Sequence, residues 1–247
     1  MLAGAAPMPT AAAPSPSDVA SAVLAAVNQG RVERDLVPYR TWDALTSLAM
    51  ARARRMADAR TLSHAAAGGN VGSALNARGL DWLGYGEAIG ATGWPWGDEA
   101  AASIYEMFMD SAVHRGLLMS GTYNYVGIGA ALASDGTTYI SVVMTESPDH
   151  TAPTARTVSL DADGRSITLA WAGADPRLQT HTAGLRDFDV RFRRDDKTWR
   201  TIRDDITATA LTLYDRRSGH WYLFRVRARD QRGNLSRWTT ATRIWVP

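Results

Sequence analysis

The sequence predicts an α+β protein in two parts, a sheet covered by helices and then an all-β sandwich. Before residue 119, apolar residues recur at helical spacing, and two runs rich in Val, Ile and Tyr follow as a hairpin. This order favours helices packed on a sheet. After residue 153, seven short alternating runs fall within about 100 residues, which is typical of two packed antiparallel sheets.

The composition is that of a globular chain long enough for two domains. Its 247 residues are 45% apolar, and the lack of cysteine excludes disulfides, thiol nucleophiles and thiolate metal sites. Residues 1–150 hold 9 Lys and Arg against 14 Asp and Glu (net −5), and the rest hold 18 against 11 (net +7), which together make the 27 and 25 of the chain. This change of sign indicates two modules with different surfaces.

Charge and hydropathy also bear on partners and location. The net charge of +2 is too small to predict a dedicated nucleic-acid binder. No apolar run approaches the about 20 residues of a membrane span, so we expect a protein that does not span a membrane. Residues 1–17 are rich in Ala and Pro and uncharged, and we interpret them as a disordered leader or the remnant of a signal peptide.

Two helices are predicted at the start of the first domain. Ser17 or Asp18 is the expected cap of the first helix, and Thr41 that of the second. The second helix ends just before His64. Its buried face is predicted to hold Leu45, Leu48, Ala49, Arg52, Ala53 and Met56.

A long connection rich in Gly, Ala, Asn and Trp is predicted over residues 65–97. A connection of this length is usually functional or disordered, and its tryptophans argue against disorder. A further helix then begins at Asp98 and leads to Ser111 and His114. Residues 125–132 and 138–145 follow as a β-hairpin around a Ser-Asp-Gly turn.

A polar, proline-bearing segment at residues 148–153 is the predicted linker between a domain at 18–147 and a second at 154–247. The second domain has no helical pattern. Its predicted strands are residues 157–160, 166–171, 188–193, 199–202, 208–213, 222–229 and 240–245.

Five short motifs occur in a fixed order between residues 18 and 146. They are Asn28 with Arg31, Leu62-Ser63-His64, Gly86-Glu87-Ala88-Ile89, Ser111 to Arg115, and Val126-Gly127-Ile128-Gly129. In this order the motifs resemble those of the CAP superfamily (cysteine-rich secretory, antigen 5 and pathogenesis-related proteins) in its cysteine-free bacterial form. Each motif alone is weak, and the set of five is specific.

The resemblance implies secretion and an α-β-α sandwich with a cleft between helices and sheet. Two His and one or two Glu face that cleft in the family and bind zinc or another divalent cation, and by position they are His64, Glu87 and His114. The family's second acid is missing here, because Phe108 and Ser111 stand where a Trp and that acid are found. Ala88 replaces an Asn beside Glu87.

The second domain resembles fibronectin type III. The matching residues are Trp171, residues 188–192, Tyr222 with Val226 and Ala228, and residues 230–236. Domains of this kind usually act as spacers or adhesion modules.

The chemistry of His64, Glu87 and His114 leaves two interpretations open. Imidazole nitrogens are good zinc ligands, and a site with only two or three protein ligands keeps a position for water, so metal-assisted hydrolysis of peptide or glycan is one candidate activity. Alternatively, the three residues form a hydrogen-bonded network that catalyses nothing. A nucleophilic pair of Ser111 and His114 lacks an evident orienting acid or oxyanion motif.

Aromatic residues around Glu87 suggest a ligand cleft. Trp82, Tyr85, Trp94 and Trp96 can stack on a sugar or lie against a lipid tail, with Ser111 nearby. Packing of a long loop onto the domain is the alternative.

Five arginines are predicted to share one face of the second domain. Alternation places Phe188, Val190 and Phe192 inward, together with Val226 and Ala228. The outward residues are then Arg191, Arg193, Arg225, Arg227 and Arg229. Such a face can bind anionic wall polymer or lipid headgroups, unless Asp187, Asp189 and Asp230 neutralise it.

Three functions follow as hypotheses. The first is a secreted or surface protein that binds a lipid, a small amphipathic ligand or a cell-wall component, with the second domain as spacer or attachment module. The second is a divalent-metal-assisted hydrolase. The third is an interaction or adhesion unit with a vestigial cleft.

Overall fold

The computed structural model describes residues 14–247, which form two compact units, one ending at Ser147 and the other running from Pro148 to Pro247. Residues 1–13 of the predicted leader lie outside the described part. The first unit contains α1 Pro16–Val32, β1 Arg40–Thr41, α2 Asp43–Ala59, α3 Val71–Asn76, β2 Gly84–Thr92, α4 Asp98–Asp110, α5 Ala112–Leu118, β3 Tyr125–Leu132 and β4 Thr138–Glu146.

The first unit is an α-β-α sandwich, as the family resemblance implied. Its sheet has the order β1-β3-β4-β2, with β1 parallel to β3 and the other pairs antiparallel. Residues of α1, α4 and α5 pack against one set of sheet residues, while α2 packs against another. The predicted face of α2 is confirmed, since all six of its residues are fully buried.

Both predicted helix caps were wrong. The helix α1 begins earlier, because Ser15 accepts a hydrogen bond from the backbone of Asp18, the Asp18 side chain accepts one in return, and Pro16 fits the first helical position. Thr41 does not cap α2, because it pairs with Val126 in the sheet, and the capping residue is Trp42.

The predicted connection over residues 65–97 was also wrong, because it contains α3 and the edge strand β2. Glycine and alanine hid this strand, since they have low strand propensity. Their small size suits the packing: a Cβ on Gly90 would lie 3.0 Å from Ile104 and 3.1 Å from Phe108. Glu87 therefore projects from a strand rather than from a loop.

The second unit contains all seven predicted strands. They are β5 Thr154–Asp163, β6 Ser166–Ala174, β7 Leu185–Arg194, β8 Arg200–Ile206, β9 Ala210–Leu213, β10 His220–Asp230 and β11 Thr242–Val246. They form a four-stranded sheet, β11-β10-β7-β8, and a three-stranded sheet, β5-β6-β9.

The core of this sandwich forms as the alternation predicted. Phe188, Val190, Val226 and Ala228 are buried around Trp171, and Phe192 is partly buried against them. Among residues 14–247, no helix combines the length and apolar character needed to cross a bilayer.

Candidate functional site

Glu87 lies at the centre of a hydrogen-bonded network in the first unit. Its side chain is only 5% exposed. Arg52 donates from Nε to Oε1 over 2.5 Å and from Nη2 to Oε2 over 2.7 Å, and the Ser141 hydroxyl donates to Oε1 over 2.9 Å. The buried carboxylate is thus paired with a cation in bidentate geometry, which is the arrangement that a buried charge requires.

Arg52 is the functional residue that the sequence interpretation missed. It lies on the apolar face of α2, is fully buried, and also donates from Nη2 to the carbonyl of Gly69 over 2.7 Å. A cation within an apolar helical stripe signals a buried partner, although the pattern does not identify that partner. Ser141 was missed as well, since it is one hydroxyl in an apolar strand.

His64 extends the network to the surface. A turn after α2 holds the residue, with the Gly69 amide donating to the His64 carbonyl over 2.8 Å. Its Nδ1 lies 2.7 Å from Oε2 of Glu87, and its side chain is 60% exposed. A carboxylate only accepts, so Nδ1 carries the proton, and in the neutral ring the exposed Nε2 is an acceptor.

His114 approaches this network from α5. Its ring centroid is 5.1 Å from that of Phe108. Burial, and secondly the charge of His64, lower the pKa of His114. The structure therefore brings His114 near His64 and favours its neutral form.

The three predicted ligands fit a three-residue metal centre poorly in this arrangement. Glu87 accepts four hydrogen bonds from Arg52, Ser141 and His64, which fill its acceptor positions. In residues 14–247, two groups of three residues have candidate ligand atoms within 4.8 Å of one another, and both are aspartate trios of the second unit. Zinc or another divalent cation at His64, Glu87 and His114 stays a prediction.

An open cleft of about 380 Å³ lies beside His64 and Glu87. Its walls are completed by Ala65, Gly69, Asn70, Val71 and Tyr85. Asn70 and Tyr85 are hydrogen-bonded to each other over 3.1 Å, so they present little unsatisfied polar surface. The walls are thus mainly apolar, with the exposed imidazole as a polar group.

The other predicted cleft residues lie outside these walls. Trp82 packs edge-on against Tyr85 at 4.9 Å and thereby supports one wall. Trp96 packs on the core, Trp94 is exposed, and Ser111 caps α5 by accepting from the amide of His114. Only Tyr85 among the predicted aromatic residues reaches the cleft directly.

Comparison with known proteins identifies the first unit. Residues 24–145 match the family model for CAP, the cysteine-rich secretory protein family. This segment is a CAP domain. No curated protein matches the sequence.

Solved structures resemble each unit. An extracellular protein containing a SCP domain from Bacillus anthracis is 17% identical, covers 53% of this chain and has a TM-score of 0.45. The match spans 41% of that protein's length. An outer surface protein from Borrelia burgdorferi is 13% identical over 54% of this chain and 96% of its own, with a TM-score of 0.48.

The second unit is a sandwich of two antiparallel sheets around one apolar core, and a solved structure resembles it. An Fn3-like protein from Clostridium thermocellum is 20% identical to this chain, covers 39% of it and 95% of its own length, and has a TM-score of 0.28.

Asn28 and Arg31, the first CAP motif, have a structural role. The Asn28 side chain donates to the carbonyl of Tyr39 and accepts from its amide. Arg31 stacks on the Tyr39 ring at 3.6 Å and donates to the carbonyls of Leu118 and Ser120. This motif thus joins α1 to the chain after α5 and does not contribute to the cleft.

The arginine face of the second unit is largely neutralised or stacked. Arg227 pairs with Asp189 at 2.6 Å, and Arg229 contacts Asp187, Asp189 and Asp205. The alternative interpretation, pairing with aspartates, therefore describes these two arginines.

The remaining arginines of this face stack on tryptophan. Arg191 lies over Trp238, and Arg193 and Arg225 lie over Trp199. Asp230 is not a partner of these arginines in the described structure, because its carboxylate accepts from the backbone and side chain of residues 232–234.

Proposed function

We propose that the CAP domain binds a small amphipathic ligand, such as a lipid or an apolar cell-wall component, in the cleft beside His64. The observation that carries this proposal is the apolar wall of Ala65, Val71 and Tyr85 next to an oriented imidazole. The volume of about 380 Å³ falls within the usual range for small-molecule sites.

Different cleft residues contact the apolar and the polar part of the ligand. The apolar body of the ligand lies against Val71 and Tyr85, where it displaces water from apolar surface. Its polar end meets Nε2 of His64. Arg52 and Glu87 hold that imidazole in one tautomer and orientation, so little entropy is lost when the ligand binds.

The geometry supports binding in preference to hydrolysis. Glu87 is not available as a general base or as a metal ligand, because Arg52, Ser141 and His64 fill its acceptor positions. Ser111 accepts from the His114 amide at the start of α5, which is the role of a helix cap.

We also propose that the protein works outside the cell and that the fibronectin type III-like unit is a spacer or attachment module. The first proposal is supported by solved structures of similar fold that are described as extracellular and outer surface proteins. The second is supported by a separate core that needs no residue of the CAP domain.

The ligand proposal is tested by titrating the full chain with a fluorescent fatty acid and then displacing it with unlabelled lipid. We expect His64→Gln and Tyr85→Ala each to weaken binding at least about tenfold, since about 1.4 kcal/mol of lost contact has that effect. Trp94→Ala is the matched control, because Trp94 is exposed and lies outside the cleft walls.

Two results would contradict this proposal. Binding that survives both cleft substitutions would place the ligand elsewhere, and loss of binding on Trp94→Ala alone would place it at the segment between β2 and α4 that contains Trp94. Because a Cβ on Gly72 would meet the Tyr85 ring at 2.6 Å, the ring is tightly packed, and His64→Gln serves as the variant that leaves this packing intact.

Zinc binding is tested separately by calorimetry at neutral pH. The intact protein is compared with the His64→Ala/His114→Ala variant. A binding heat that disappears in the variant would support a cation held by the two imidazoles. The same binding heat in both proteins would contradict that prediction and leave the ligand proposal unaffected.

A further inference from the structure

A second and larger cleft lies at one end of the fibronectin type III-like unit. Its volume is about 640 Å³, and the segments around the β7–β8 and β9–β10 connections form its walls. Six cationic side chains line it, namely Arg193, Arg194, Lys197, Arg200, Arg216 and Arg217. Asp215 is the acidic residue in the walls, so the lining has a net charge of five positive units.

Most of these cations have no acidic partner. Within residues 14–247, five of the six make no ion pair, and Arg194 lies 4.0 Å from Asp195. Asp195 is itself bound to His220 at 2.7 Å. The arginine face shares Arg193 with this cleft but differs in that carboxylates neutralise its Arg227 and Arg229.

The backbone around the cleft is held in place. In the β7–β8 connection, the Asp195 amide donates to the Trp221 carbonyl over 2.8 Å, and the Asp195 carboxylate accepts from the Trp221 amide over 3.0 Å. In the β9–β10 connection, the Tyr222 hydroxyl accepts from the amide of Arg217 over 2.9 Å. Like charges are thus kept together by a fixed scaffold, and an anion relieves their repulsion.

The chemistry of the walls favours phosphate as the bound group. A guanidinium binds phosphate or carboxylate through paired hydrogen bonds, but a phosphate brings more acceptor oxygens and more charge in the same volume. Nucleic acid fits less well, because stacking a base needs a free ring. Phe192 and Tyr222 stack on each other at 6.3 Å, and Trp199 is covered by Arg193 and Arg225.

We propose that this cleft binds a phosphate-bearing polyanion that lacks bases. The proposal goes beyond the ligand site of the CAP domain and does not depend on it. It gives the attachment role of the second unit a chemical basis, since a repeating phosphate polymer presents several charges to one cleft.

The test is calorimetric titration of the full chain with sodium tripolyphosphate at low salt. The variant Lys197→Gln/Arg200→Gln/Arg217→Gln removes three exposed cations of the cleft. The control Arg156→Gln/Arg203→Gln/Arg237→Gln removes three exposed arginines of the same unit that do not line the cleft. Both variants carry the same change in net charge.

We expect the cleft variant to raise the dissociation constant at least tenfold, while the control changes it less than threefold. Binding should weaken as salt rises, because exposed charges are screened. Equal loss in both variants would overturn the proposal in favour of general charge attraction, and so would undiminished binding by the cleft variant.

Two further titrations distinguish the source of the anion. Citrate that binds as tightly as tripolyphosphate would overturn the preference for phosphate. Binding to phosphatidylglycerol vesicles without binding to tripolyphosphate would overturn the polymer and assign the cleft to a membrane surface. The variant His64→Gln should leave all of these titrations unchanged, which separates them from the CAP-domain ligand.

Discussion

Arg52 and Glu87 show how two buried charges are accommodated at the residue scale. Each would be very costly alone in an apolar layer, and their bidentate contact offsets much of that cost. The Gly69 carbonyl and the Ser141 hydroxyl add two further hydrogen bonds. His64 is the exposed end of this series of hydrogen bonds. Its position in the cleft therefore depends on Arg52 and Ser141, which lie outside the cleft walls.

Removing the carboxylate charge should therefore destabilise the fold. We expect Glu87→Gln to lower the free energy of unfolding by about 3–5 kcal/mol, because it leaves Arg52 buried without a counter-charge. His64→Ala is the control and should cost less than about 1 kcal/mol, since the side chain is exposed. Urea denaturation of both variants measures the difference, and equal costs would show that the ion pair contributes little.

The titration of His114 is a second prediction at this scale. Burial and the nearby His64 lower its pKa below the ordinary value of 6.5, so the folded protein holds this proton less tightly than the unfolded chain does. The contribution of His114 to the free energy of unfolding is therefore fully present above pH 6.5. It is lost as the pH falls from 6.5 toward the lower pKa of the folded state.

The imidazole resonance of His114, followed by NMR from pH 8 to pH 4, should have its midpoint below 6.5. In His64→Gln the midpoint should rise but stay below 6.5, because the burial of His114 still lowers its pKa. A midpoint at or above 6.5 in the unmodified protein would contradict this account.

At the scale of elements, the contact between α2 and β3 depends on two glycines. A Cβ on Gly127 would lie 2.0 Å from the carbonyl carbon of Leu45, and one on Gly129 would lie 2.2 Å from the amide nitrogen of Met50. These are backbone atoms of a helix, so no rotamer change relieves the clash. The Val-Gly-Ile-Gly motif is thus explained by the close approach of a helix to a strand.

Gly129→Ala should force α2 away from the sheet and cost about 3 kcal/mol or more, at the upper end of overpacking effects. Gly116→Ala is the matched control, since a Cβ there would meet nothing within 4 Å. Alanine in this helical position should be neutral or stabilise by up to about 1 kcal/mol. Thermal unfolding of the two variants checks the difference, and similar melting temperatures would contradict the predicted clash.

Elements with strong periodicity were predicted well, and elements made of small residues were not. The face of α2 and the β3–β4 hairpin follow from apolar spacing, which local sequence records directly. The strand β2 was missed because it contains glycines that allow close contact, Gly90 with α4 and Gly86 with α5. The need for small residues at these positions comes from residues distant along the chain, and the periodicity of the local sequence does not reveal it.

At the scale of the whole molecule, each unit has its own apolar core. Around Ile104 and Val126, one core joins helices to a sheet, and around Trp171 and Phe224 another joins two sheets. The acidic first unit and the basic second unit also separate in charge, as the composition predicted. These features support distinct binding roles for the two units.

Residues 148–247 expressed alone should fold, because their core draws on no residue of the CAP domain. We expect dispersed methyl resonances and a cooperative unfolding transition. A fragment with the narrow spectrum of an unfolded chain would show that the sandwich needs the CAP domain in order to fold.

The sequence by itself determined the strongly periodic helices and strands, the two-part architecture and the candidates His64, Glu87 and His114, because periodicity and motif order are local properties. The partners of these residues were decided only by the tertiary structure. Arg52 and Ser141 meet Glu87 across 35 and 54 residues of chain, and that convergence makes Glu87 a support for His64. Folding likewise paired Arg227 with Asp189, and it brought together in one cleft six cations of which only Arg194 makes an ion pair among residues 14–247. Both outcomes depend on tertiary structure because charges interact through space rather than along the sequence.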